Sequence, residues 1–333
     1  MQTPMPPQGE LIKMLWITDP WSTLDHSQDT TLRLMQEAII MGIPTFWSPS
    51  DQLFLTTQTG HIQAVRLDKT INLIAETKFK LEPFPLSSFH QIHNRIDPPV
   101  DENYRSLIDQ LIEKGAKESQ ILNPPSLLKN QSEKIPPVDL QSYSPRLKII
   151  ESEENLREAE EIFSGDLEIV SKPLHLAQSI GVEKHRTPKN AAEWGALAGR
   201  LTHNFTQAIL IEEFLPKINS GEVRMWFAGE QFIAALKKHP IIGDFRVLID
   251  EGSRIEAYTL TPPEEKIAAA VGQSLKRQGI LMAAVDLIGD KICDYNFTSP
   301  GLLVQLEKVH AYQNFAKVIL NQALQYRGPA VHE

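Results

Sequence analysis

The chain has 333 residues, 41% of them hydrophobic and 23% charged, with a formal net charge of -9. That length supplies two or three domains with buried cores, and the acidity excludes a global attraction to nucleic acid or acidic membrane, so an anionic ligand must be met by local Lys and Arg. A single cysteine, Cys293, excludes an intramolecular disulfide or cysteine-based zinc site, and a polar, proline-rich start (MQTPMPPQGE) with no apolar run of membrane length predicts a soluble cytoplasmic protein.

In chain order, LIKMLWITDP (11–20) is a short apolar run ended by Asp-Pro and predicts a buried strand. Residues 29–42 carry helical spacing through Leu32, Met35, Ala38 and Ile39, with Asp29 or Thr30 as N-cap and Gly42 as stop. Residues 43–49 read as a second strand, which completes a βαβ unit and implies a parallel sheet. No Gly-x-Gly-x-x-Gly follows the first strand, so a dinucleotide site there has no support. Residues 51–82 alternate around TTQTGHIQ and predict a hairpin; 95–115 is a loop running into a helix stopped by Gly115. The proline-rich stretch 121–145 predicts a crossing between domains. Beyond it the pattern is mixed α+β: helices at 154–163, 188–202 and 262–279, strands at 167–174 and 207–216, and two strands within 222–240.

The stretch DLIGDKICDYNFTSPG (286–301) reads as two short strands, 283–288 and 292–297, joined at Gly289-Asp290, and it carries Asp286, Asp294 and Asn296. Acids and amides are disfavoured in strands. They are either the wet face of an exposed hairpin or hard oxygen ligands for a divalent cation beside a polyphosphate. Asp294 and Asn296 share a face. A two-residue turn puts Asp286 on the face of Cys293, whereas a three-residue or bulged turn puts it with Asp294. Lys172, in the apolar run EIVSKP, is either an edge-strand lysine or a phosphate ligand. LIEEFLP sets consecutive acids after an apolar strand, suited to adenine or ribose or to a solvated strand end. Arg224 and Arg246 are isolated, and His175, His185 and His239 sit in polar contexts. Walker A, His-Glu-x-x-His and Gly-x-Ser-x-Gly signatures are absent.

Read in order, these pieces resemble bacterial glutathione synthetase, a member of the ATP-grasp superfamily. The resemblance runs through MLWITDPWSTLDHSQDTTLRLMQEA, RIDPPVDENY, ILNPPSLLKNQSEK, VSKPL, EEFLPKINSGEVRMWFAGE, GDFR and VDLIGDKICDYNFTSP. GDFR and NFTSPGL are also similar to ribosomal-protein glutamate ligases of that superfamily. The resemblance implies an α/β and α+β protein, an ATP-grasp fold preceded by a Rossmann-like pre-ATP-grasp domain. The domains it implies are an N-terminal one over 1–125, a central lobe over 126–205 and a C-terminal lobe with the hairpin over 206–333. It implies an ATP-dependent carboxylate–amine ligase that joins γ-glutamylcysteine and glycine through an acyl phosphate. The cofactors would be ATP and Mg²⁺, or Mn²⁺ in its place, the partners small-molecule γ-glutamyl dipeptides or amino acids, and the assembly a homo-oligomer.

Carried over by position, Lys134 and Lys172 would contact phosphate or adenine. Glu212, Glu213 and Leu215 would line the adenine hinge, with Glu222 at the ribose. Asp286, Asp294 and Asn296 would hold the metal, and Arg95, Arg224 and Arg246 would meet substrate carboxylates and the transferred phosphate. The chain also departs from the family. Where the family has Asp-Gly-Met-Gly-Gly after Lys-Pro-Leu it reads HLAQSIG, retaining only Gly181. Where the family has Arg-Gly-Asn it reads Arg246-Val247-Leu248, a substrate arginine becomes Val304, a lysine becomes Ile96, and the metal glutamate is the shorter Asp294. Loss of the glycine-rich backbone cradle opens a second reading: a pseudoenzyme that keeps the fold, or a divergent amino-acid or γ-glutamyl ligase.

Overall fold

The computed structural model describes residues 11–70 and 73–326; the N-terminal decapeptide on which part of the cytoplasmic expectation rests lies outside them. The chain runs β1 (Met14–Thr18), α1 (Thr30–Ile40), β2 (Thr45–Pro49), β3 (His61–Leu67), β4 (Glu82–Pro85), β5 (Gln91–Asn94), α2 (Glu102–Glu113), β6 (Ile121–Leu122) and α3 (Pro125–Asn130). It continues through β7 (Leu147–Ile150), α4 (Glu153–Ile162), β8 (Glu168–Pro173), β9 (Glu183–Arg186), α5 (Ala191–Leu201) and β10 (Ile209–Glu213). Last come β11 (Glu222–Ala228), β12 (Gln231–His239), β13 (Arg254–Tyr258), α6 (Pro262–Gln278), β14 (Met282–Ile288), β15 (Lys291–Asn296), α7 (Leu303–Val309) and α8 (Phe315–Gln325).

Three sheets result. The first has the order β4-β3-β2-β1-β5-β6, with β2, β1, β5 and β6 parallel and β3 and β4 antiparallel at one edge. The βαβ expectation for 11–49 agrees with this, and Asp29 caps α1 by accepting from the Leu32 amide at 2.7 Å. The hairpin expected within 51–82 does not form. Residues 51–60 make turns, and β3 pairs instead with β2 and with β4 beyond the loop. Alternation showed that a strand was present but carried no record of its partner. The chain leaves β1 toward β2 on one side and occupies β5 on the other, so the carboxyl ends of β1 and β5 form a topological switch point, where open α/β sheets bind ligands.

The second sheet, β7-β10-β8-β9, is antiparallel and rests on α4 and α5 through Ile150, Phe163, Ile169, Trp194, Ile209 and Ile211. It includes β10, so it extends past residue 205, where the central lobe was expected to end. The third sheet, β13-β12-β11-β14-β15, is antiparallel throughout. Val223, Met225, Val285 and Leu287 on one face meet Ile267, Val271 and Leu275 of α6. Trp226, Leu236 and Ala284 on the other share a core with Leu303, Leu306, Ile319 and Leu320 of α7 and α8, and with Leu34 and Met35 of α1. Each such buried aliphatic contributes about 1.5–3 kcal/mol, so α1 and α8 weld the first domain to the last. That second face changes character along its length: apolar under the helices, then Glu222, Arg224, Lys238 and Asp286 where the helices stop.

Candidate active site

A cleft of about 620 Å³ lies where the three sheets meet. Its walls are the loops after β1 and β5 (Asp25, Asp97, Pro98), one face of the middle sheet (Val170, Lys172, Glu212) and the charged end of the third sheet.

The hairpin supplies its floor. Its turn has two residues, closed by the Ile288–Lys291 pair, with Gly289 at φ 66°, the left-handed region that favours glycine. The register then shifts: Leu287 pairs with Ile292 but Asp286 pairs with Asp294, and Cys293 is the extra residue of a bulge. The oddness required to align the acids therefore sits in the strand and not in the turn. Asp286, Asp294 and Asn296 share a face, and all three line the cleft.

Those acids are held by cations. Arg224, directly across β11 from Asp286, donates from Nε and Nη2 to its two carboxylate oxygens at 2.8 and 2.6 Å. Lys238, on the neighbouring β12 and 4% exposed, donates from Nζ to Asp286 Oδ1 at 3.1 Å and also pairs with Glu222. Burial pushes the Asp286 carboxyl upward, but Arg224 and Lys238 outweigh it and hold it well below the usual carboxylate range. Burial lowers Lys238, as does Arg224 beside it; Asp286 and Glu222 more than restore it and leave its pKa raised. Glu222 itself is raised by burial. Lys134 donates to Asp294 Oδ1 at 3.0 Å. Asn296 turns its amide nitrogen to Ala284 O and Asp286 Oδ2, which leaves its carbonyl oxygen for the cleft.

Across the cleft, Lys172 lies on β8, which is flanked by β10 and β9. The edge-strand reading of this lysine is thereby excluded. Lys172 pairs opposite Leu210, one step diagonal from Glu212, and its Nζ reaches Glu212 Oε1 at 2.7 Å and Cys293 O at 3.3 Å. Burial lowers Lys172, but Glu212 and then Asp294 outweigh it and raise its pKa. Glu212 is raised by burial against the pull of Lys172, and its second oxygen, buried and without a hydrogen-bond partner, sits in the cleft wall. An unpaired buried acceptor of this kind fits a donor group such as the exocyclic amine of adenine.

Other expected residues fall elsewhere. Leu215 lines the cleft, but Glu213 points to the opposite face of β10 and pairs with Arg146 at 2.9 Å. Arg95 does not line the cleft. It is 4% exposed, and its guanidinium donates to Thr31 Oγ1 at 3.1 Å and Pro300 O at 2.8 Å, bracing the 299–301 segment from behind. Arg246 is at the cleft but folded onto Asp244, at 2.7 Å; that pairing lowers the Asp244 carboxyl to about 2.

Two contributors were not singled out in the sequence. Lys238 follows Ala234 and Leu236 at a spacing of two, so the alternation of β12 places it on their face, but Lys237 beside it is an equal candidate until the sheet is built. Glu133 accepts from the amides of Phe297 and Thr298, both at 2.6 Å, and from Thr298 Oγ1 at 2.8 Å, which fixes the chain leaving the hairpin.

The segment HLAQSIG keeps an unusual backbone. Gln178 and Ser179 hold φ 55° and 58°, left-handed values that cost a side chain about 1–2 kcal/mol each. Ser179 Oγ donates to Val247 O at 3.4 Å, tying this loop to the one that carries Arg246.

For a divalent metal the donor set is Asp286, Asp294 and the Asn296 carbonyl: two carboxylates and an amide, hard oxygens of the kind Mg²⁺ takes. Among the described residues no three His, Cys, Asp or Glu side chains converge as a metal site, so phosphate and water oxygens would complete any coordination here. Among them, too, no helix is long and apolar enough to cross a membrane.

Residues 12–129 match the family described as prokaryotic glutathione synthetase, N-terminal domain, and residues 133–311 its ATP-grasp domain. Glutathione synthetase of Parasynechococcus marenigrum is 29% identical over 301 residues, covering 90% of this chain and 94% of its own. That of Ralstonia nicotianae is 27% identical over 297 residues, covering 87% and 88%. Among solved structures, D-cycloserine synthetase superposes with a TM-score of 0.64 at 14% identity, covering 93% of this chain and 99% of its own. D-alanyl-alanine synthetase A from Vibrio cholerae gives 0.60 at 13%, covering 95% and 98%. At those identities the two structures speak for the fold alone, and the fold is ATP-grasp. With both family models matched over nearly the whole chain, this protein belongs to the prokaryotic glutathione synthetase family of ATP-dependent carboxylate–amine ligases.

Proposed function

We propose that this chain transfers the γ-phosphoryl group of ATP to a substrate carboxylate and passes the resulting acyl group to an amine. In the first step a carboxylate oxygen attacks the γ-phosphorus and ADP leaves. In the second the amine nitrogen attacks the acyl carbon, inorganic phosphate leaves, and the amine gives up a proton as the amide forms. The observation that carries this reading is one cleft with the Asp286–Asp294–Asn296 face on its floor and the Lys172–Glu212 pair on its wall. Lys172, Lys134 and Lys238 would meet phosphate oxygens, and Glu212 would accept from the adenine amine. Asp286, Asp294 and Asn296 would hold the magnesium ion, which when bound supplies charge neutralisation of the transferring phosphoryl group. Catalysis of this kind rests on positioning and preorganised charge. Arg224 is the residue at the floor with a fixed guanidinium for that charge.

The family's reaction, γ-glutamylcysteine with glycine, is the first substrate pair to assay, in a protein expected to be cytoplasmic and homo-oligomeric; Mn²⁺ would serve in place of Mg²⁺. Purified protein with Mg-ATP should release ADP and phosphate in step with amide formation when offered donor carboxylates and amines. Binding of Mg-ATP without any ADP release across donors and acceptors would overturn the ligase reading. It would leave a nucleotide-binding pseudoenzyme, the reading favoured by the loss of glycines at 175–180.

A further inference from the structure

The distribution of charge around the cleft bears on which carboxylate it accepts, and the inference rests on the ligase reading above. Five cations line the cleft, and four of them are matched inside it: Lys172 by Glu212, Lys134 by Asp294, Arg224 by Asp286, and Lys238 by Glu222 and Asp286. Their side chains are 5–13% exposed. With a nucleotide polyphosphate and its magnesium ion bound, Asp286 and Asp294 would hold the ion and all four of these cations would be drawn onto phosphate oxygens. The fifth is Arg246. Its side chain is 36% exposed and forks through Nε and Nη2 onto Asp244, two residues away, so of the five pairings this is the one most open to competition from water. Its guanidinium is the one of the five placed to turn onto a substrate carboxylate.

The rest of the lining opposes a second one. Asp25, Asp97, Asp250 and Glu251 also line the cleft and, among the described residues, make no ion pair, though Glu251 lies in the field of Arg246. Beside them, Leu176 and Ala177 of one loop and Val247, Leu248 and Ile249 of the other form a half-buried apolar wall, held together by the Ser179–Val247 contact. A second carboxylate set against this wall would lose hydration and meet only the neutral Gln178 and Ser179 in place of a second cation, a costly desolvation for an unpaired charge.

We propose that the donor substrate has a single free carboxylate, the one that is activated, flanked by an apolar group that packs on Val247, Leu248 and Ile249. Its class is a neutral apolar amino acid or a short peptide ending in one, and a γ-glutamyl donor with a second free carboxylate is discriminated against. A free ammonium group on such a donor is compatible with the nearby acids.

The test uses the full chain with Mg-ATP and hydroxylamine as a common acceptor, so that only the donor varies and each turnover yields a hydroxamate, ADP and phosphate. The donors are leucine, glycyl-leucine, glutamate and γ-glutamylcysteine. The expected result is a kcat/KM for leucine or glycyl-leucine at least tenfold above γ-glutamylcysteine, the difference lying in KM. Leu248→Arg, which sets a cation on the wall, should narrow that ratio or reverse it. Ile249→Asn serves the same end if the first variant melts early. A wild-type preference for γ-glutamylcysteine overturns the inference while the ligase reading stands. No hydroxamate from any donor, with Mg-ATP still bound, overturns both.

Discussion

Asp286 and Asp294 face each other directly across β14 and β15, yet their surroundings differ: the Asp286 side chain is 1% exposed and compensates Arg224 and Lys238, while that of Asp294 is 22% exposed and pairs with Lys134. One pair of aligned acids thus divides its labour, Asp286 holding the buried charge lattice together and Asp294 presenting a replaceable contact to the cleft.

That division predicts opposite outcomes for two substitutions. Asp294→Asn should lower ATP turnover on the order of 10²-fold, about 2.7 kcal/mol of transition-state stabilisation, with melting temperature and denaturant midpoint nearly unchanged. Asp286→Ala strands the buried Arg224 and leaves Lys238 with Glu222 alone, and should destabilise the fold by about 3–5 kcal/mol. Equal losses of stability in paired urea titrations would contradict the assignment.

Because Arg224 and Lys238 already occupy Asp286, and Lys134 occupies Asp294, a free divalent ion must displace cations, and among the described residues Arg224 and Lys134 make no second ion pair to fall back on. Polyphosphate gives them one. Mn²⁺ titrated alone, followed by its electron paramagnetic resonance signal, should bind weakly, and a non-hydrolysable ATP analogue should tighten it by tenfold or more, about 1.4 kcal/mol of coupling. Reciprocity requires the metal to tighten the analogue by the same factor; equal metal affinity in both conditions would refute the displacement.

The Lys172–Glu212 pair is buried on a strand interior to its sheet, so removal of one member leaves an uncompensated charge. Lys172→Met should cost about 3–5 kcal/mol and abolish nucleotide binding. Adding Glu212→Leu should recover much of the stability and none of the binding. A double-mutant cycle in chemical denaturation measures the first effect, and fluorescent ATP-analogue titration the second.

His93 stacks on Trp16 at 4.0 Å with 11° between ring planes and is wholly buried. Burial, with a smaller contribution from Arg95, lowers its pKa from 6.5 to about 3. Between those values the unfolded chain binds a proton that the folded chain refuses, so stability is lost as pH falls from 6.5 toward 3, by up to about 1.4 kcal/mol per pH unit. His93→Leu should flatten that acid slope by a similar amount in unfolding free energies measured from pH 6.5 to 4. An unchanged slope would mean that His93 is not the group responsible.

Local chemistry was legible where a residue's role depends on its immediate neighbours. Asp29 caps α1 because its carboxylate meets an amide three residues on, Gly279 ends α6 at φ 66°, and the alternation of β14 and β15 showed polar residues sharing a face. The hairpin expected within 51–82 failed for the complementary reason. A strand's pattern says which face is buried but not which strand, near or distant, completes its hydrogen bonds. Arg95 was misplaced because an arginine beside Asp-Pro-Pro looks the same in sequence whether it reaches a ligand or braces Pro300 from the rear.

From the sequence alone came the βαβ start, the strand and helix succession, the ordered motifs that carry the ATP-grasp resemblance, and the two choices for the hairpin. These follow from periodicity, capping and composition, which act over a few residues. The tertiary structure decided the rest. Cys293 bulges so that Asp286 meets Asp294, β8 lies inside its sheet so that Lys172 is no edge residue, and Lys238 rather than Lys237 enters the cleft. Each of these depends on register between strands far apart in the chain, where a one-residue shift turns a side chain to the opposite face.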